Sequence, residues 1–425
     1  MRLALNYQRV DPTKGGAETY VVDLCRKLIE RGHEVVLHAA EWNREALPPG
    51  LQTVRVPVEG WTRPGKIRSF AENSARGLAS GDHDCSIGFI NTWGTDVLIP
   101  QGGVHEGSLE ANAQRFAPGL ARTAYLIGKR LNPKRGLYRE IERRQYDPRA
   151  RTRIVAVSNM VREHLERFHG VDPARVSVIP NAIDAGRLEV DDPAGARAEF
   201  RARMGLGPHD LVALFVGHNY RLKGLEPLLR SLASRKSRDP GARALSLVAC
   251  GGGDVGPFRR LVRSLGLEET VRLAGFQADI RPAFHAADFF VLPTYYDPCS
   301  LVVFEALACG LPVVTTRCNG AGDVITEGTE GFVVDRPDAI DSLIIAYAAL
   351  ADDGRRRTMS EAARELGLRQ SFDVHVDRLL QVCAEAARDR GSRAHRGATS
   401  RPLSTRSDRS DACSTGIGST RGGTR

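Results

Sequence analysis

The chain lacks the features that mark membrane-spanning, secreted and zinc-binding proteins. No uninterrupted apolar run approaches the ~20 residues that a membrane-spanning helix needs. Residues 3–7 already have the pattern of a strand, so we expect no signal peptide. The eight cysteines show no CxxC or Cys/His spacing of the kind that binds zinc. We therefore expect a cytoplasmic protein with reduced, largely buried thiols.

Lysine is scarce, with 7 residues against 53 arginines, so an arginine-rich segment by itself indicates little. Of the net charge of +9, residues 388–425 carry nine Arg and three Asp, hence +6. This segment is mostly Arg, Ser, Thr and Gly and cannot bury enough apolar surface to offset the entropy of ordering. We predict a disordered basic tail. Binding to nucleic acid or anionic lipid is the alternative, and we expect no nucleic-acid partner.

A second basic region is more informative because its charge excess is local. Residues 115–153 contain twelve Lys or Arg and three acids, interleaved with leucines and tyrosines. Such a segment suits an anionic membrane surface or an acceptor that bears phosphates. A solvated helix face is the alternative. We favour a protein that is peripheral at the cytosolic face of the inner membrane.

Strand-like and helix-like segments alternate through most of the chain, which indicates doubly wound α/β domains. We predict a first Rossmann-like domain over 1–182 and a second over 183–370. The predicted strands of the first are 3–7, 35–37, 87–90, 97–99, 154–157 and 176–179. Those of the second are 211–216, 245–249, 271–273, 289–292 and 312–316.

Two acids eight residues apart are the most informative feature of the second domain. Asp297 follows the strand-like run 289–292, and Glu305 lies inside a short predicted helix. Ser300 is a plausible N-cap for that helix, and Gly310 ends it. The free N–H groups at such a helix start, near Ser300 and Leu301, form an anion site. An anion held between acids that can bind hydroxyl groups indicates a sugar nucleotide.

These residues resemble the E-x7-E signature of retaining glycosyltransferases of family 4, and most closely its lipopolysaccharide core glucosyltransferase I branch. The family's first acid is normally Glu, where this chain has Asp297. Glu305 matches the second acid, which holds the nucleotide ribose. The resemblance covers about residues 1–387 and implies a GT-B fold, with two domains facing across a cleft. It also implies that a last helix, 371–387, crosses back to the first domain.

Glycines at two strand ends extend the predicted site. Gly15 and Gly16 form a strand-to-helix turn, where the backbone can approach a ligand closely. The resemblance places this loop next to the donor's diphosphate and sugar. Gly251 ends a strand of the second domain, at the edge where ligands bind in α/β sheets.

The donor's diphosphate requires positive charge. Lys223, in a Lys-Gly pair after a strand, resembles the family's diphosphate-binding lysine. Many family members carry Arg where this chain has His218, and Arg221 is the predicted substitute, with a solvated loop arginine as the alternative.

In the first domain, His105 resembles the family's histidine near the donor sugar, and Asp96 is predicted to orient it or to contact the acceptor. Asp82-His83-Asp84 has the Asp-x-Asp form of a metal site. It precedes its strand, however, and ligands gather at the other end. We therefore predict no catalytic metal.

The resemblance implies a retaining, metal-independent transfer of a hexose to a glycan or glycolipid acceptor such as lipopolysaccharide core. UDP-glucose is the implied donor, required as a substrate with no cofactor, and GDP-mannose or another hexose donor stays open. Lys223, Asp297 and His105 are the predicted catalytic residues, with front-face attack favoured over Asp297 as a nucleophile. A nucleotide-sugar epimerase and a non-catalytic sugar-nucleotide-binding protein are the alternatives.

Overall fold

Two parallel β-sheets organise the chain. The computed structural model describes residues 1–132 and 134–398, of which residues 1–387 form one compact unit. The first half contains strands β1 (Arg2–Asn6), β2 (Arg9–Val10), β3 (Glu34–Ala39), β4 (Glu41–Trp42), β5 (Gln52–Arg55), β6 (Cys85–Gly88), β7 (Val97–Leu98), β8 (Arg153–Ala156) and β9 (Val176–Val178). Seven of them form one sheet in the order β5-β3-β1-β6-β7-β8-β9, and β2 pairs with β4 separately.

The second sheet contains β10 (Leu211–Val216), β11 (Leu245–Cys250), β12 (Val271–Gly275), β13 (Phe289–Leu292), β14 (Val313–Thr316) and β15 (Gly331–Val334). Its order is β12-β11-β10-β13-β14-β15, and all neighbours are parallel. The direction of the connections reverses between β10 and β13. Such a switch point opens a crevice at the carboxyl ends of the strands, where ligands bind in open α/β sheets.

Helices connect the strands throughout. The first half carries α1 (Gly16–Glu30), α2 (Arg63–Ala79), α3 (His105–Ala113), α4 (Leu120–Arg130), α5 (Lys134–Gln145) and α6 (Asn159–His169). The second half carries α7 (Pro193–Arg203), α8 (Leu225–Arg238), α9 (Gly256–Ser264), α10 (Arg281–Ala286), α11 (Leu301–Ala308), α12 (Ile340–Ala351), α13 (Asp353–Arg369) and α14 (Phe372–Ala398). Short 3-10 helices lie at 44–46, 173–175, 185–188 and 320–324.

Continuous apolar runs in the sequence form the buried central strands of the sheets. In β13 all four residues are buried, and in β10 the first five are, as expected for parallel strands covered by helices. The α/β prediction is confirmed. Of the seven cysteines in the described part of the chain, five are buried. No helix of that part combines the length and apolar character that a membrane span requires.

The last helix, α14, returns to the first half of the chain. Its His375 Nε2 lies 2.6 Å from the hydroxyl of Tyr20 on α1, and Arg378 donates to the Val178 carbonyl at 2.7 Å. The chain therefore passes between the two sheets twice, and the two passages are paired. Ile183 on the outgoing segment forms a parallel bridge with Ser371 on the returning one.

Helix α14 also continues past residue 387, so the predicted disordered tail begins as helix, in contrast to the prediction. The sequence after 384 is rich in Ala and Arg, which have high helix propensity. Residues 399–425 of the predicted tail lie outside the described residues.

Candidate active site

A direct ion pair between Lys223 and Asp297 lies at the centre of the site. The Lys223 ammonium donates to Asp297 Oδ2, and the two side chains are 21% and 11% exposed. Two residues that were predicted separately, 74 positions apart, thus meet at the carboxyl ends of β10 and β13. An ammonium has three donors, so Lys223 can hold the carboxylate and still donate to a second anion.

Glycine at position 224 allows this meeting. Its φ of +82° lies in the left-handed region, and an added Cβ would stand 1.8 Å from the Pro293 carbonyl oxygen. The loop after β10 is therefore pressed against the loop after β13, and any side chain at 224 would push Lys223 away from Asp297.

The N-terminus of α11 faces the same crevice. Ser300 stands at the predicted N-cap, but its side chain makes no capping bond. Asn319 Oδ1 instead accepts from the Ser300 N–H at 3.3 Å. The Ser300 amide is thus engaged, contrary to expectation. Among the described residues no acceptor serves the N–H groups of Leu301 and Val302, so these two are available to an anion.

The glycine turn of the first half reaches this helix start. A Cβ placed on Gly16 would lie 3.2 Å from Leu301 Cδ1, so the turn and the N-terminus of α11 are in contact. Gly15 is the N-cap residue of α1. The predicted donor loop and the predicted anion site therefore face each other across one cleft.

Tyr296 makes the second contact across the cleft. Its hydroxyl accepts from the Val104 N–H at 3.0 Å. Gly103 leaves space for this ring, because a Cβ there would be 2.1 Å from the Tyr296 oxygen. The loop that carries Asp297 is thereby fixed to the segment that leads into His105.

His105 begins α3, and its N–H donates to Glu142 Oε1 at 2.6 Å. Its ring stacks on Tyr138, with centroids 5.2 Å apart. The ring lines a cavity of about 180 Å³ together with Tyr125 and Lys129. The structure places His105 beside the cleft, and within the described part of the chain no hydrogen bond, ion pair or ring contact joins it to Lys223 or Asp297. A role at the donor sugar stays a prediction.

Glu305 lies one turn after Leu301 on α11 and is partly buried. Burial raises the pKa of Glu305 to about 7, the neighbouring Asp23 carboxylate adds to the rise, and Arg187 opposes it. Asp23, on α1, is itself ion-paired with Arg187. In the described residues no hydrogen-bond partner occupies the Glu305 carboxylate, which leaves it able to accept from ligand hydroxyls.

Three predicted residues lie elsewhere. Gly251 supports the site indirectly, because a Cβ there would stand 1.9 Å from the Gly217 carbonyl oxygen. Arg221 is exposed and faces a separate cavity. Asp96 precedes β7, and its carboxylate accepts from the Ser86 hydroxyl at 2.7 Å. This position corrects the expectation that Asp96 orients His105, because the two residues lie at opposite ends of β7.

The Asp-x-Asp segment also lies at the amino ends of the strands. Asp82 pairs with Arg2 at 3.1 Å, and Asp84 accepts from the Arg2 N–H at 2.8 Å. Both acids therefore have structural partners near the start of β1. Within the described ranges no group of three or more His, Cys, Asp or Glu side chains could hold a metal ion.

Sequence reasoning missed Tyr296 and Asn319. Asn319 accepts from the Ser300 N–H, and its main chain bridges to Asp297. Only the aromatic pair just before Asp297 could have indicated Tyr296, since its partner is 192 residues away.

Comparison with known proteins shows which family the chain belongs to. Residues 14–187 match the model "Glycosyltransferase Family 4", and residues 210–353 match "Glycosyl transferases group 1". The D-inositol 3-phosphate glycosyltransferase of Kineococcus radiotolerans is 31% identical, covering 91% of this chain and 94% of that relative. The chain belongs to glycosyltransferase family 4.

Solved glycosyltransferases share the fold. WaaG, a glycosyltransferase involved in lipopolysaccharide biosynthesis, superposes with a TM-score of 0.70 at 22% identity, covering 91% of this chain and 98% of WaaG. Anabaena HepE in complex with UDP superposes with a TM-score of 0.66 at 15% identity, covering 91% and 100%. The predicted family, enzyme class and GT-B fold are confirmed. At these identities the likeness to WaaG concerns the fold alone.

Proposed function

We propose that the protein is a retaining, metal-independent hexosyltransferase that moves glucose from UDP-glucose to a glycan or glycolipid acceptor. The Lys223–Asp297 pair beside the open N-terminus of α11 carries this proposal. The leaving diphosphate acquires charge as the glycosyl bond breaks. Lys223 and the N–H groups of Leu301 and Val302 supply positive potential at that point.

The other residues take their roles from this arrangement. Asp297, held by Lys223, orients hydroxyl groups of the sugar. Glu305 accepts from the ribose hydroxyls, and the loop at Gly16 closes the sugar pocket from the first domain. The acceptor oxygen attacks on the face that the diphosphate leaves, and the leaving phosphate takes the acceptor's proton. No enzyme residue then forms a covalent intermediate, and the anomeric configuration is retained.

The acceptor has two candidates. The resemblance of the Asp297 and Glu305 motif to the lipopolysaccharide core glucosyltransferase I branch supports a lipopolysaccharide core acceptor. The relative with 31% identity is named for D-inositol 3-phosphate, which supports a small phosphorylated cyclitol instead. An assay with UDP-glucose and each acceptor separates them by which product forms.

We further propose that α4 lies against an anionic membrane. Leu120, Ile127 and Leu131 expose 91%, 51% and 77% of their surface, and Lys129 and Arg130 next to them are exposed. Each basic residue near an anionic surface contributes about 1 kcal/mol.

Sedimentation with vesicles tests the membrane proposal. The K129E/R130E variant should lose binding to phosphatidylserine vesicles at low salt, and the matched variant R44E/R55E should keep it. Arg135 is unsuitable for charge reversal because its side chain holds Glu106 through two 2.9 Å bonds. Equal binding to neutral vesicles would contradict the proposal.

A donor panel tests the reaction itself. Purified protein is incubated with UDP-glucose, GDP-mannose and other hexose donors, with and without acceptor, and the Lys223→Ala variant serves as the inactive control. A transferase gives an acceptor-dependent product of retained configuration. An isomeric sugar nucleotide formed without acceptor would indicate an epimerase. Binding without turnover on any donor would indicate a sugar-nucleotide-binding protein.

A further inference from the structure

A second cavity, larger than the one beside His105, lies next to the proposed donor site. It has a volume of about 630 Å³. One wall is the first-domain segment 114–118 together with Arg122, and the other comes from α8, α9 and the loops after β13 and β15. The catalytic pair does not line it, and neither does Glu305.

The cavity is separate from the catalytic pair although both use the same two loops. Arg221 precedes Lys223 by two residues and lines the cavity, whereas Lys223 contacts Asp297. Tyr295 lines the cavity, whereas the next residue, Tyr296, faces Val104. The loop after β10 thus presents Arg221 to the cavity and Lys223 to the catalytic pair. The loop after β13 likewise presents Tyr295 to the cavity and Asp297 to the pair.

Positive charge dominates this cavity. Five arginines line it against two acids. They are Arg115, Arg122, Arg221, Arg230 and Arg336, and the acids are Glu226 and Asp338. Two of the arginines are committed, because Arg230 pairs with Glu226 at 2.8 Å and Arg336 pairs with Asp338 at 2.6 Å.

The other three arginines have no acidic partner among the described residues. Arg115 donates to the Asn112 carbonyl at 3.1 Å and approaches the Phe116 and Tyr125 rings. No ion pair is formed by Arg122 or Arg221 in the described structure. Guanidinium groups are suited to phosphate because their planar fork can donate two parallel bonds.

The remaining wall is apolar and aromatic. Phe116, Phe258, Leu261 and Ile340 line it. Tyr295 is 8% exposed, and burial, followed by the charges of Asp338 and Glu226, raises its pKa to about 12. Tyr295 therefore offers a neutral hydroxyl donor. A small inorganic anion would leave this apolar surface uncovered.

We propose that this arginine cavity binds the phosphate-bearing, partly apolar portion of a lipid-linked acceptor. This inference rests on the proposed function, because it names the class of acceptor. The phosphate lies among Arg115, Arg122 and Arg221, which lack acidic partners in the described part of the chain, and the first carbons of the lipid lie against the aromatic wall. Because the arginines come from both domains, the acceptor bridges them.

Isothermal titration calorimetry with full-length protein tests the inference without any donor present. The probes are n-octyl phosphate below its micelle concentration, octyl β-glucoside as a neutral head on the same tail, and inorganic phosphate. We compare wild type with R122Q/R221Q, which removes one available charge from each domain. R44Q/R55Q is the matched control, because both residues are exposed and neither lines the cavity.

Wild type and R44Q/R55Q should bind octyl phosphate more tightly than either other probe. R122Q/R221Q should weaken that binding by roughly tenfold or more, the effect of losing a charged hydrogen bond. Unchanged affinity in R122Q/R221Q would overturn the inference, and so would equal affinity for octyl β-glucoside. Inorganic phosphate binding as tightly as octyl phosphate would overturn the lipid-linked source. If thermal unfolding shows R122Q/R221Q to be destabilised, R122Q alone gives the same comparison.

The outcome is independent of the donor. Failure of UDP-glucose to react contradicts the proposed function, whereas the octyl phosphate comparison contradicts this inference alone.

Discussion

Replacing Lys223 by Ala separates charge stabilisation of the reaction from stability of the fold. The ammonium contacts the Asp297 carboxylate, and both side chains are mostly shielded from water, at 21% and 11% exposure. Removing one preorganised electrostatic donor costs about 10²–10³ in turnover, or roughly 3–4 kcal/mol of transition-state stabilisation. We expect kcat for hexose transfer to fall by that factor.

The same change leaves Asp297 charged and without its partner. Loss of a hydrogen bond between charged groups costs about 1.5–3 kcal/mol of stability. The double variant Lys223→Ala/Asp297→Asn should recover most of this loss, because the carboxamide is neutral, yet its turnover should stay low. Urea unfolding measures stability, and steady-state kinetics at saturating UDP-glucose measures turnover. A folded Lys223→Ala protein with near-normal kcat would refute the reasoning, and recovery of turnover in the double variant would do so as well.

Glu305 has a folded-state pKa of about 7, above its ordinary value, so its contribution to stability is present at low pH and is lost as pH rises through 7. The ionised form accepts ribose hydroxyls, so UDP-glucose affinity should rise between pH 6 and 8, and a Glu305→Gln variant should show no such rise in calorimetry. Tyr296→Phe should lower the free energy of unfolding in urea by about 1–3 kcal/mol, because the Val104 N–H loses its acceptor; an unchanged value would show that water replaces the hydroxyl. Gly16→Val should slow turnover at least tenfold, since the added side chain meets Leu301 across the cleft, while the melting temperature stays within a few degrees. Unchanged kcat in Gly16→Val would place the glycine turn outside the sugar pocket.

Local patterns predicted most of the fold. The buried strands are continuous apolar runs, and Ser300 and Gly310 mark the ends of α11 because caps and stops are encoded within a few residues. Strand β5 was missed because all four of its residues are exposed. The tail was predicted to be disordered because its composition allows little burial of apolar surface. That reasoning does not consider the high helix propensity of Ala and Arg, and the tail begins as part of α14.

The site was predictable only where a family motif covers it. Lys223 and Asp297 were found by motif, but their ion pair depends on the fit of Gly224 against Pro293, which no local pattern contains. The contact between Tyr296 and Val104 is equally non-local. Asp96 was misplaced because sequence distance from His105 does not reveal which end of a strand each residue occupies.

The paired passages of the chain between the two sheets determine how the domains can move. Ile183 and Ser371 are bridged side by side, and the Ile183 N–H also donates to the Gln370 carbonyl at 3.0 Å. Because the two interdomain segments are joined at this point, we expect them to bend together about one hinge line and to resist sliding or twisting past each other. We expect the active-site segments at Gly16 and Leu301 to separate by rotation about that line. Closing by the same rotation should return the catalytic loops to the same register.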